Sequence, residues 1–229
     1  MSPTPRPQVH GLFDKATWTV TYVVHNGPGT ACAIVDPVLD YDPASGRSGT
    51  EQADRVIAFV TEQQLTVQWL LETHAHADHL SAAPYLREKL GGKIAIGESI
   101  HQVQRVFKTL FNLDAVGRAL DPTFTHGSEG LVDGDVITSS GLELRVLGTP
   151  GHTSDSLCFV IDGEAVLTGD TVLGRGTTVV AHPDGELGAY LDSLDRLHAL
   201  CSEQGITSVW PGHGPVIDDA LGALDFYLA

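Results

Sequence analysis

The run His74-Ala75-His76-Ala77-Asp78-His79 packs three imidazoles and a carboxylate into one short stretch of this chain. Neutral imidazole is the commonest metal ligand, and a carboxylate beside it suits a hard or borderline cation. An apolar run from Val67 to Leu71 comes just before and reads as a buried strand. On extended backbone, side chains at i and i+2 point the same way, so His74 and His76 can grip one ion. Asp78 and His79 fall where the chain turns toward a helix, within reach of a second ion. Core packing has no use for four such groups together, so the stretch is expected to bind metal.

Three more candidate ligands each follow a strand-like segment. His152 comes after Leu142 to Leu147, Asp170 after Ala165 to Leu167, and His213 after Thr207 to Trp210. A glycine precedes each one and lets the backbone turn sharply there. Around these ligands the sequence offers weaker candidates. Arg175 and His182 lie on the segment after Asp170, where Arg175 could hold an anionic substrate group. Tyr41 is a candidate from the first half of the chain. Thr73 and Thr153 are expected to orient imidazoles. His10, His25, His101, His126 and His198 have no ligand spacing and read as ordinary histidines.

The elements that must position these residues follow from periodicity. Trp18 to His25 and Ala31 to Val35 read as strands around the Asn26-Gly27-Pro28-Gly29 turn. Ala53, Val56, Ile57 and Val60 recur at helical spacing. Further helices are expected from the metal motif to about Leu90, from Ser99 to Leu110 and from about Glu186 to Cys201. The last carries a Leu187, Leu191, Leu194 stripe that Cys201 continues. Short strands are expected at Lys93 to Ile96, Val136 to Thr138, Leu142 to Leu147, Leu157 to Ile161, Ala165 to Leu167 and Thr207 to Trp210. Two halves of this kind predict an α/β sandwich, two sheets face to face with helices outside, in a single domain over 1–229.

Composition limits the function classes. With 229 residues and 42% hydrophobic content the chain can build a real core. A net charge of −16, without a Lys/Arg cluster, disfavours nucleic acid and anionic membranes as partners. No apolar run approaches the roughly 18 residues needed to span a bilayer. The polar, proline-rich N-terminus lacks a signal-peptide core, so a cytoplasmic protein acting on a small molecule is expected. Cys32, Cys158 and Cys201 are scattered and read as reduced core cysteines. A homo-oligomer is compatible with the sequence but not specified by it.

The order HxHxDH, GH, GD, GHG resembles the signature of the metallo-β-lactamase superfamily. That resemblance implies an αββα four-layer sandwich with the site at one edge of the sheets. It also implies His74, His76 and His152 on one metal, Asp78, His79 and His213 on another, and Asp170 bridging. True β-lactamases lack that bridging aspartate, which argues against antibiotic hydrolysis. Residues from about Phe13 to Leu113 resemble bacterial persulfide dioxygenases, notably Asp36 to Pro43 and Glu72 to Leu80. From about Phe124 the chain resembles endoribonuclease-like hydrolases, through Gly169 to Thr178 and Pro211 to Pro215. A hybrid joined near Asn112 to Thr123 is therefore an expectation of the pattern.

Two chemistries follow. Two divalent ions, zinc in the first instance, would share a hydroxide with a pKa near about 7 for attack on an ester, thioester, lactone or phosphoester. Asp78 and Asp170 are the catalytic candidates, with Asp78 shuttling the proton. Alternatively His74, His152 and Asp170 form a two-histidine, one-carboxylate set for a single Fe2+. By resemblance that set would oxidise glutathione persulfide, although Thr177 to His182 lacks the Arg-x-Asp element of the dioxygenases. Nuclease activity, implied by the second resemblance, is disfavoured by the net charge.

Overall fold

The computed structural model describes residues 6–42, 44–75, 80–110, 128–139, 141–161 and 163–229, apart from the side chains of 107–110, 128 and 129. The expected ligands His76, Asp78 and His79, the histidine His126 and the suspected junction at 112–123 lie outside the described residues.

Along the chain come β1 (Gln8–Phe13), β2 (Val20–His25), β3 (Ala31–Val35), β4 (Val38–Asp42), β5 (Arg47–Gly49) and α1 (Glu51–Glu62). Next are β6 (Thr66–Leu71), β7 (Leu80–Ser81), α2 (Ala83–Leu90), β8 (Lys93–Gly97), α3 (Ile100–Leu110) and β9 (Ser128–Leu131). The remainder is β10 (Val136–Ser139), β11 (Leu142–Gly148), β12 (Leu157–Ile161), β13 (Ala165–Gly169), α4 (Leu187–Gln204), β14 (Ser208–Pro211) and α5 (Ala220–Leu228). The chain divides into two compact units. Met1–Glu72, His76–Ala95 and Ile137–Glu143 make the first, and Thr73–Ala75, Ile96–Val136 and Leu144–Ala229 the second.

In the first unit β1, β2 and β3 pair antiparallel, and β6 joins β3 in parallel. The β8 segment lies parallel to β6 on its other side. Every residue of β2 and β3 is buried, which explains their β-branched runs in place of strict alternation. Parallel pairing of β3 and β6 needs a crossover, and α1 supplies it by burying Ala53, Val56 and Val60. The edge strand β1 is mostly exposed, so it lacks the apolar signal that marks its neighbours in the sequence. Trp18 has φ +64 and stays outside β2, which starts two residues later than periodicity predicts.

In the second unit β11, β12 and β13 are antiparallel and β14 runs parallel to β13. All of β12 and β13 is buried, and α4 packs Tyr190, Leu194, Leu197 and Cys201 into that core. The leucine stripe expected on α4 is only partly the buried face. Leu187 and Leu191 are 61% and 41% exposed, while Tyr190 and Ser193 take the inner positions. Glu186 caps the helix, accepting from Gly188 N and Ala189 N, and Gly205 ends it in a left-handed turn. All three cysteines are free and buried, as expected. None of the described helices is long and apolar enough to cross a membrane.

Candidate metal centre

The strand directions of the second unit decide where its ligands collect. Two antiparallel steps followed by a parallel one make β11, β13 and β14 point the same way. Their C-terminal ends therefore share one rim of the sheet, where His152, Asp170 and His213 follow. His74 reaches that rim because Thr73–Ala75 is stitched to the same unit at two points. Leu157 N donates to Thr73 O at 2.8 Å, and Ala75 N donates to Asp155 Oδ2 at 3.0 Å.

Asp170 occupies the centre. Its Oδ2 lies 3.7 Å from His152 Nε2 and its Oδ1 lies 3.5 Å from His213 Nε2. Ligand atoms of His74, His152 and Asp170 all lie within 4.8 Å of one another. The His74 and His152 rings meet edge to face, with centroids 4.9 Å apart. These nitrogen–oxygen distances exceed the hydrogen-bond optimum. Two ligands bound tetrahedrally to zinc at about 2.0–2.2 Å stand roughly 3.3–3.6 Å apart, so the His213 spacing matches an ion between the ligands and the His152 spacing is slightly wider. His74 is 3% exposed, and the other three side chains are 15–21% exposed, which leaves the rim open to a small molecule.

The imidazoles are held from behind. His152 Nδ1 lies 2.6 Å from Val179 O, an atom that can only accept, so Nδ1 carries the proton and Nε2 keeps its lone pair for the centre. Thr73 Oγ1 lies 3.0 Å from His74 Nδ1, as the sequence suggests. Thr178 Oγ1 donates to Asp170 O at 2.8 Å and fixes the turn that carries the carboxylate. Thr153 departs from expectation, since its hydroxyl pairs with Ser156 Oγ at 2.7 Å and closes a turn instead of orienting a ring. Thr73→Val keeps the shape but loses the hydroxyl beside His74. It is expected to weaken zinc binding about tenfold, measured by chelator competition, with little change in apoprotein unfolding.

The weaker candidates fall in different places. Tyr41 lines a groove of about 1020 Å3 in the first unit, together with Asp14, Lys15, Asp40, Arg47 and Arg55. Arg175 and His182 are exposed, on the segment whose Val179 carbonyl holds His152. His10 stacks on Phe59 and His198 meets Asp225, so both are ordinary histidines as expected. Val179 and Asp155 were not singled out in the sequence. A main-chain carbonyl leaves no residue-type signal, and Asp155 is one acid among 29. Burial pushes the Asp155 carboxyl up to about 6.

Comparison with known proteins extends this picture. The family model of the metallo-β-lactamase superfamily matches residues 19–200. A Burkholderia pseudomallei protein described as a probable metallo-hydrolase is 41% identical over 207 residues, covering 84% of this chain and 68% of that protein. A β-lactamase hydrolase-like protein of Xylella fastidiosa is 38% identical over 212 residues, 90% of this chain and 47% of its own length. The chain thus spans about half of that relative. The crystal structure of ETHE1 from Myxococcus xanthus superposes with a TM-score of 0.72 at 28% identity, covering 96% of this chain and 83% of that one. Matches of this extent span residues 112–123. They give no support to a join there or to an endoribonuclease-like second half. The fold is that of these proteins, mixed α/β, in keeping with the expected sandwich. The chain belongs to the metallo-β-lactamase superfamily.

Proposed function

We propose that this protein is a dinuclear metal-dependent hydrolase acting on a small ester, thioester, lactone or phosphoester. The observation that carries this reading is Asp170, which presents Oδ2 to His152 and Oδ1 to His213. A carboxylate with a different imidazole on each oxygen is poised to bridge two cations. His74, His76 and His152 would hold one ion, Asp78, His79 and His213 the other, zinc being the first choice for N/O ligands. Bound ions of this kind polarise a carbonyl or phosphoryl group and lower the pKa of water to about 7. The protein's own part is orientation and proton handling. Val179 O fixes the His152 tautomer, Thr73 backs His74, and Asp78 is assigned the proton transfer. Arg175 offers an exposed guanidinium to an anionic substrate group.

A second reading rests on the compact trio His74, His152 and Asp170, which matches a facial set for one iron. The 28% identity to ETHE1 also favours it, given the persulfide dioxygenase resemblance of the first half. Metal analysis of anaerobically purified protein separates the two. Near two zinc per chain, with thioester or lactone cleavage that chelators abolish, is the expected result. One iron per chain with O2 uptake on glutathione persulfide selects the second reading. His213→Ala should then leave oxygen uptake largely intact, whereas it should abolish hydrolysis under the first.

A further inference from the structure

One buried acid has no role in the centre described so far. Asp155 is 2% exposed, Oδ2 accepts from Ala75 N, and Oδ1 is buried with no hydrogen-bond partner among the described residues. A buried carboxylate with an oxygen unsatisfied works against stability, so the fold gains little by keeping it. The Asp155 main chain is also fixed, since a Cβ at Gly97 would collide with the Asp155 carbonyl oxygen. The Ala75 N–H that its carboxylate accepts comes from 80 residues away, on the residue that follows His74.

We infer that Asp155 is a positioning residue whose carboxylate anchors the Ala75 N–H and so sets the direction in which the His74–Ala75 backbone offers the His74 imidazole to metal. This rests on the metal centre proposed above. The next turn supports the same rigidity, because Ser154 N donates to Asp184 Oδ2 at 2.8 Å. Holding the peptide that follows His74 restricts its ring, which lowers the conformational cost of closing it on an ion.

The test compares zinc affinity, by chelator competition, with apoprotein thermal unfolding in the parent and three variants. Asp155→Ala should weaken zinc about tenfold or more, with an unfolding midpoint unchanged or raised, because a buried charge is gone. Asp155→Asn retains an oxygen acceptor for the Ala75 N–H and should recover affinity to within about threefold of the parent. Gly97→Ala displaces the Asp155 main chain while keeping its carboxylate, and should also weaken zinc. If Asp155→Ala fails to fold, Gly97→Ala and Asp155→Asn carry the comparison. Parent-like affinity in folded Asp155→Ala, or in Gly97→Ala in its place, overturns the inference and leaves the metal centre standing. A parent that takes up no zinc, iron or manganese sinks both.

Discussion

Asp170→Ala is expected to lose bound metal and to lower hydrolytic turnover on the order of a thousandfold. Asp170 is the carboxylate shared by His152, at 3.7 Å, and His213, at 3.5 Å. Removing its carboxylate withdraws the negative charge that would offset bound metal, and His152 and His213 lose the group they share. The apoprotein should remain folded, because a mostly buried acid between two imidazoles is kept for binding more than for stability. Metal content by elemental analysis and apoprotein circular dichroism check both halves of the expectation. His101→Ala, on exposed α3 surface, serves as the comparison and should leave metal and activity intact. Equal metal content in the two variants would contradict the assignment.

Gly169→Ala is expected to damage both the fold and the site. Gly169 has φ +49, where an alanine costs roughly 1–2 kcal/mol. Its added Cβ would also fall inside the Thr73 side chain, which is 1% exposed and has no room to move. Overpacking of this kind adds about 1–3 kcal/mol. For a chain of this length the sum amounts to a drop of about 4–20 °C in unfolding midpoint. Thr73 is the residue behind His74, so zinc affinity should fall further than the stability loss alone explains. Gly163→Ala separates the two causes. Gly163 has φ +69 but only Gln204 O near its missing Cβ, at 3.9 Å, so it should bear the backbone cost alone and leave zinc binding unchanged. Similar zinc affinities in the two variants would show that Gly169 is not coupled to His74 through Thr73.

The family and nearly all the buried strands were legible in the sequence, as were His74, His152, Asp170 and His213, which the structure gathers at one rim. Each depends on local pattern. Strands β3, β6, β12 and β13 are apolar runs flanked by turns, and every ligand follows such a run beside a glycine or within the HxHxDH stretch. What the sequence withheld was relational. Edge strand β1 is exposed and shows no apolar signal. The inner face of α4 was misread because the sequence shows which residues are leucine, whereas neighbouring β strands and α5 decide which side is covered. Val179 enters the site through a carbonyl, which every residue possesses. Asp155 meets Ala75 only once β12 and Thr73–Ala75 are hydrogen-bonded together. Side-chain chemistry and short-range periodicity are written in the chain itself. Distances between residues far apart in the chain are set by strand direction and register, so folding alone put Asp170 between His152 and His213.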